Sequence, residues 1–120
     1  MVKILHLFNN LMNLYGETGN IKILERRLKA GSVAFKTVKA MPKDVIDWDF
    51  DLVYIGSGTE KSMFASLKEA YNFTDKLNKL IFEKNVVVLL TGNSMSLFGK
   101  KIVAESGEEV EGLSILDIET

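Results

Sequence analysis

The spacing of apolar residues along this chain admits few architectures. Runs at residues 2–8, 51–55 and 86–90 are aliphatic and rich in β-branched side chains, the length of buried strands and too short for buried helices. Further runs at 32–38 (Val33, Phe35, Val38), 101–104 and 113–118 read as additional strands. Helical spacing lies between them. Ile21, Leu24 and Leu28 share one face, Lys22, Glu25, Arg26 and Lys29 are charged, and Gly31 is placed as a C-cap. Phe64, Leu67 and Tyr71, then Leu77, Leu80 and Ile81, mark a second helical region that breaks near 72–75, where Thr74 or Asp75 caps a new helix. Strand, helix, strand, loop, strand, helix, strand is the order of a parallel sheet covered on both faces. Crossovers of this kind are right-handed in nearly all cases, so the expected fold is α/β, a three-layer αβα sandwich with a mostly parallel doubly wound sheet.

A chain of 120 residues suits one domain, 1–120, with a single real core. Fifteen basic against sixteen acidic residues leave a formal charge of -1, which provides no global field for nucleic acid or an anionic membrane. The chain has no cysteine, and so no disulfide, thiolate metal site or thiol nucleophile. The apolar run at the N-terminus is ended by Asn9 and Asn10, too early for a secretory signal, and no stretch approaches the ~20 apolar residues of a membrane helix. A cytoplasmic location is expected.

Ligands of such sheets bind outside the carboxyl ends of the strands. Three segments rich in Gly, Asn, Ser and Thr fall there, 9–20, 56–61 and 91–99, and together predict a cleft of small polar residues and backbone N–H groups. Gly56-Ser57-Gly58 opens like a dinucleotide fingerprint, but the third glycine is replaced by Lys61, and no GxxxxGK[ST] loop is present. Asp47, Asp49 and Asp51 imitate a calcium loop whose obligatory glycine is here Leu52, so the segment reads as a polar approach to a strand with Trp48 and Phe50 packing. The acidic stretch of Glu105, Glu108, Glu109 and Glu111 around Gly107 reads as a solvated hairpin or loop, with no metal role. His6, the only histidine, lies inside the first strand and reads as a packed or edge imidazole rather than a general base. Ser94 and Ser96 stand near a strand end, yet a serine triad needs a base that no second histidine provides.

Four segments in order carry a family resemblance. Asn13-Leu14-Tyr15-Gly16-Glu17-Thr18-Gly19-Asn20 has the form N-L-Y-G-D-x-G-N, and residues 51–58 the form D-L-V-x-I-G-G-G. Residues 89–99 stand where C-G-G-x-Q-L-L-G would, and residues 112–120 resemble G-L-G-L-L-D-x-x-T. These are motifs of the CobB/CobQ-like class I glutamine amidotransferases, and most like those of the GatD branch, whose partner is the Mur-ligase-like MurT.

The resemblance implies a cysteine thiolate at a tight strand-to-helix turn, a histidine base, and backbone N–H groups for the developing oxyanion. An ungapped match puts Gly92 at the cysteine position, and a one-residue gap puts Thr91 there; Asn93 and Ser94 replace the following glycines and Ser96 the glutamine. Gly56, Ser57 and Gly58 correspond to the oxyanion turn, with Ser57 in place of its middle glycine. Asn13, Tyr15, Gly16, Gly19 and Asn20 belong to the signature loop, in which Gly16 and Gly19 are expected to supply positive φ and a helix to open at about Asn20. The family's histidine lies beyond the segment with which this chain ends, so an N-terminal part of a longer protein is expected rather than a short relative.

The expectation is an amidotransferase-type domain that does not hydrolyse glutamine as given, with no cofactor and no metal. It would act as scaffold or binding unit beside a Mur-ligase-like ATP-dependent subunit in amidation of cell-wall precursors or a related metabolite. An exposed sheet edge makes a homodimer a further expectation. The alternative is a flavodoxin-like FMN module, because residues 15–20 also resemble the S-x-T-G-N-T phosphate loop.

Overall fold

The computed structural model describes residues 1–13, 18–45 and 48–118. Strands β1 (Val2–Leu7), β2 (Phe35–Ala40), β3 (Leu52–Ile55) and β4 (Val87–Leu90) form one wholly parallel sheet in the order β2-β1-β3-β4. Helix α1 (Thr18–Ala30) links β1 to β2, while α2 (Glu60–Ala70), a 3-10 turn at Tyr71–Phe73 and α3 (Thr74–Phe82) link β3 to β4. From β1 the chain leads toward one edge of the sheet and from β3 toward the other. The connections therefore part between the carboxyl ends of β1 and β3, the switch point at which such sheets hold ligands.

Side chains alternate between the two faces of each strand, and the two cores follow that period. Ile4 and Tyr54 pack on Ile21 of α1, with Leu24, Leu28 and Leu52 around them. Leu5, Leu7, Val53 and Ile55 join the larger cluster with Leu67, Leu77 and Leu80 of α2 and α3. The αβα sandwich expected from the run spacing is the observed fold. It is incomplete at β4, where Val87 and Leu89 are 60% and 45% exposed. Their register partners Leu52 and Tyr54 place them on the face that α1 covers elsewhere.

Several boundaries differ from the expectation for identifiable reasons. The end of α1 is a Schellman motif in which Val33 N–H reaches Leu28 O at 2.8 Å and Ser32 N–H reaches Lys29 O at 3.0 Å. Ser32, at φ 58°, holds the left-handed position that Gly31 was expected to take, and the motif delays β2 until Phe35. Phe73, not Thr74 or Asp75, is the N-cap of α3; Thr74 is already helical, and its hydroxyl donates to Tyr71 O at 3.1 Å. β4 begins at Val87 because Val86 N–H is spent on Leu80 O at 3.0 Å.

After β4 come the short helix α4 (Ser94–Leu97) and an antiparallel hairpin of β5 (Lys101–Val103) and β6 (Glu109–Glu111). The acidic stretch is thus a hairpin, turning through Gly107 at φ 90°. The strand expected at 113–118 is absent. Its N–H groups turn instead to the end of α4, with Leu113 donating to Leu97 O at 2.9 Å and Leu116 to Phe98 O at 2.7 Å, while Ser114 sits at φ 57°. The wrap is close enough to require glycines: a Cβ on Gly112 would lie 2.9 Å from Gly99 C, and one on Gly99 2.7 Å from Ile118 O.

Candidate functional site

The turn that follows β3 is short, buried and held from three sides. Gly56, Ser57 and Gly58 are all buried, and Thr59 then caps α2, its hydroxyl accepting from Ser62 N–H at 3.1 Å. A Cβ on Gly58 would meet Met12 Sδ at 2.6 Å and Leu11 O at 3.0 Å, so the loop after β1 rests directly on this glycine. An added Cβ there would press on the Leu11 carbonyl and displace the methionine side chain.

The turn after β4 packs on the same point. Thr91 N–H continues the ladder to Ile55 O at 3.2 Å, and Gly92 follows at φ 58° before α4 begins at Ser94. This is the shape of a sharp strand-to-helix turn with one left-handed residue at its apex, and that residue is Gly92 and not Thr91. Ser94 is fully buried, and its hydroxyl lies 3.0 Å from Ile55 O and 2.8 Å from Thr91 O, one donor shared between the two carbonyls. It is a staple between the turns and not an available nucleophile. Asn93 forms a second staple: its Nδ2 donates to Gly58 O at 2.7 Å, and its Oδ1 accepts from Gly58 N–H at 3.0 Å.

The first turn of α1 reaches the same place. Asn20 Nδ2 donates to the Tyr54 hydroxyl at 2.9 Å, and that hydroxyl lies 3.2 Å from Thr91 Oγ1. Tyr54 is fully buried and packs edge-on against His6, with ring centroids 5.2 Å apart. His6 is accordingly a packed imidazole inside β1. Gly19 does not supply the positive φ expected of it, being an ordinary helical residue of α1 with open space where a Cβ would go. The helix opens at Thr18 rather than about Asn20. Asn13 is exposed beside Met12, and Tyr15 and Gly16 lie outside the described residues.

The structure thus brings together Gly56, Ser57, Gly58, Thr91, Gly92, Asn93, Ser94 and Asn20, the residues singled out from three separate loops. Tyr54 was not among them. An aliphatic strand holding one tyrosine was the available signal, because a buried phenol needs a hydrogen-bond partner. A cavity lined by Lys3, Lys36, Asp49 and Phe50 lies toward the amino ends of β1 and β2, away from these turns. There Asp49 pairs with Lys3 at 3.1 Å and Trp48 stacks on Phe73, which makes the residues before β3 an anchor and not a calcium loop; Asp47 lies outside the described residues. No helix among the described residues is long and apolar enough to cross a membrane.

Over 118 residues the chain is 30% identical to the lipid II isoglutaminyl synthase (glutamine-hydrolyzing) subunit GatD of Staphylococcus aureus (strain N315), a match covering 98% of this chain and 48% of that protein. The subunit of the same name from Streptococcus pneumoniae (strain ATCC BAA-255 / R6) is also 30% identical over 118 residues, covering 96% of this chain and 44% of that one. The chain therefore spans less than half the length of these relatives. Residues 3–120 match the CobB/CobQ-like glutamine amidotransferase domain, and with nearly the whole sequence accounted for in this way, the chain belongs to that family.

Proposed function

We propose that this chain is an amidotransferase-type domain that does not hydrolyse glutamine itself and serves as scaffold for a Mur-ligase-like ATP-dependent subunit in the amidation of cell-wall precursors, in the cytoplasm. One observation carries the proposal. The apex of the turn after β4, where the family resemblance calls for a thiol, is Gly92 at φ 58°, in a chain that has no cysteine. An amide carbon is attacked only by an activated nucleophile, and neither a glycine nor the stapled hydroxyl of Ser94 is one.

Two further features support the reading. Gly56, Ser57 and Gly58 take the role of the oxyanion turn by resemblance, and the Gly58 N–H is already bonded to Asn93. A donor occupied within the fold stabilises no transition-state charge. The partner is inferred from the two relatives, each named as a subunit of a glutamine-hydrolyzing synthase of lipid II isoglutaminyl groups. The test is ammonia release from glutamine, measured with the purified chain alone and with the ligase-type subunit. Release indistinguishable from buffer, with co-elution of the two chains, is the expected result. Robust turnover by the chain alone overturns the assignment of Gly92.

A further inference from the structure

The turns after β3 and β4 compete for one small volume. A Cβ built on Gly92 would lie 2.7 Å from Ser57 Cβ, closer than real Cβ atoms come, and would overlap Ser57 Oγ as well. Rotation of the serine could carry Oγ away. It could not move Cβ, whose position is fixed by the backbone of residue 57. That backbone is restrained by its neighbours. It is buried between β3 and Gly58, and Gly58 is pinned by Asn93 on one side and by Leu11 and Met12 on the other.

We propose that Ser57 and Gly92 are a reciprocal steric pair. Ser57 provides the side chain that fills the space between the two turns, and position 92 accepts a side chain of its own only when residue 57 is glycine. The absence of a nucleophile at the apex is then not a single lost residue but half of an exchange, with the side chain moved from the turn after β4 to the turn after β3. The pairing concerns which side chains the two turns hold together, so it stands whether or not the cleft ever meets glutamine and extends the function proposed above.

Left-handed strain must be separated from this contact, and Gly107 provides the control. It also has positive φ, at 90°, but nothing lies within 4 Å of where its Cβ would be. The experiment is thermal unfolding of Gly92→Ala and Gly107→Ala, each in the native and the Ser57→Gly background. The Gly107 substitution should lower Tm equally in both backgrounds. The Gly92 substitution should lower it in the native background by at least roughly 4–8 °C more than in the Ser57→Gly background, where only strain remains. Equal losses for Gly92→Ala in the two backgrounds overturn the pairing. Should Gly92→Ala not fold alone, its recovery by Ser57→Gly supports the pair. Gly92→Asn gives a second measurement, because asparagine tolerates left-handed backbone. If neither substitution at 92 folds even with glycine at 57, the proposal fails.

Discussion

Asn93 and Gly58 are joined twice, the side-chain amide of one donating to the carbonyl of the other and accepting from its N–H, at 2.7 and 3.0 Å. The side chain does for Gly58 what a neighbouring strand would do, beyond the last ladder pair of Ile55 and Leu90. Both polar groups of a buried glycine are satisfied without water or ligand.

Asn93→Ala removes both bonds and leaves a buried N–H and C=O to find other partners. A loss of about 1–2 kcal/mol is expected, measured by urea unfolding at unchanged m-value. Amide exchange at Gly58 should also accelerate. Unchanged stability together with unchanged exchange would show that the clamp does not form.

Tyr54→Phe tests the link between α1 and the turn after β4. The ring and its packing on His6 remain, while Asn20 and Thr91 lose the hydroxyl that lies between them. About 1 kcal/mol of destabilisation is expected. Thr91→Val in the Tyr54→Phe background should cost less than in the native one, by roughly 0.5 kcal/mol or more, since the two share a bond. Strict additivity would mean that Thr91 and Tyr54 act independently.

The parts of the fold legible in the sequence are those in which side-chain pattern alone decides the backbone. Leu5, Leu7, Val53 and Ile55 alternate onto one face, and Ile21, Leu24 and Leu28 recur at helical spacing, so the parallel sheet and its layers follow from local pattern. Residues 113–118 carry an equally apolar pattern and make no strand. There the N–H groups meet carbonyls freed at the end of α4, and the glycines at 99 and 112 allow an approach that no run of apolar residues announces. The site was legible in outline for a related reason. Gly, Asn and Ser cluster wherever turns are tight, so the loops that meet could be named. The bonds within the cluster, such as Asn93 to Gly58 and Asn20 to Tyr54, depend on three turns converging in space. Position along the chain carries no record of that.

The open face of β4 predicts an asymmetry in core substitutions. Leu67, on the buried side of α2, is 1% exposed, and Leu67→Ala should cost about 2–5 kcal/mol through lost burial and a residual cavity. Leu89, 45% exposed, should cost only about 0.5 kcal/mol on the same change. Denaturant unfolding of the two variants side by side provides the check. A large loss at Leu89 would mean that another surface covers β4 in solution.

Tyr71 ties the turn between α2 and α3 to the hairpin, its hydroxyl donating to the carbonyl of Glu111. Desolvation, and then the charge of Glu111, raise its pKa above the ordinary tyrosine value. A raised folded-state pKa means the native protein holds this proton more tightly than the unfolded chain. The contribution is complete below about pH 10 and is lost as pH rises through the folded value. Native stability should therefore fall above about pH 10, and this fall should be shallower in Tyr71→Phe. Identical alkaline profiles for the two proteins would remove Tyr71 as the cause.

Reinstating a thiol should not reinstate hydrolysis. Gly92→Cys alone brings its Cβ against Ser57, so Ser57→Gly must accompany it, and Asn93→Gly is needed to free the Gly58 N–H. Within residues 1–120 the one histidine is buried in β1 against Tyr54, so a triple variant of this 120-residue chain has no free imidazole to take the thiol proton and return it to the leaving ammonia. The expected outcome is a protein whose new cysteine is alkylated by iodoacetamide but which releases no ammonia from glutamine. Turnover by the triple variant would mean that some other group performs the proton transfer.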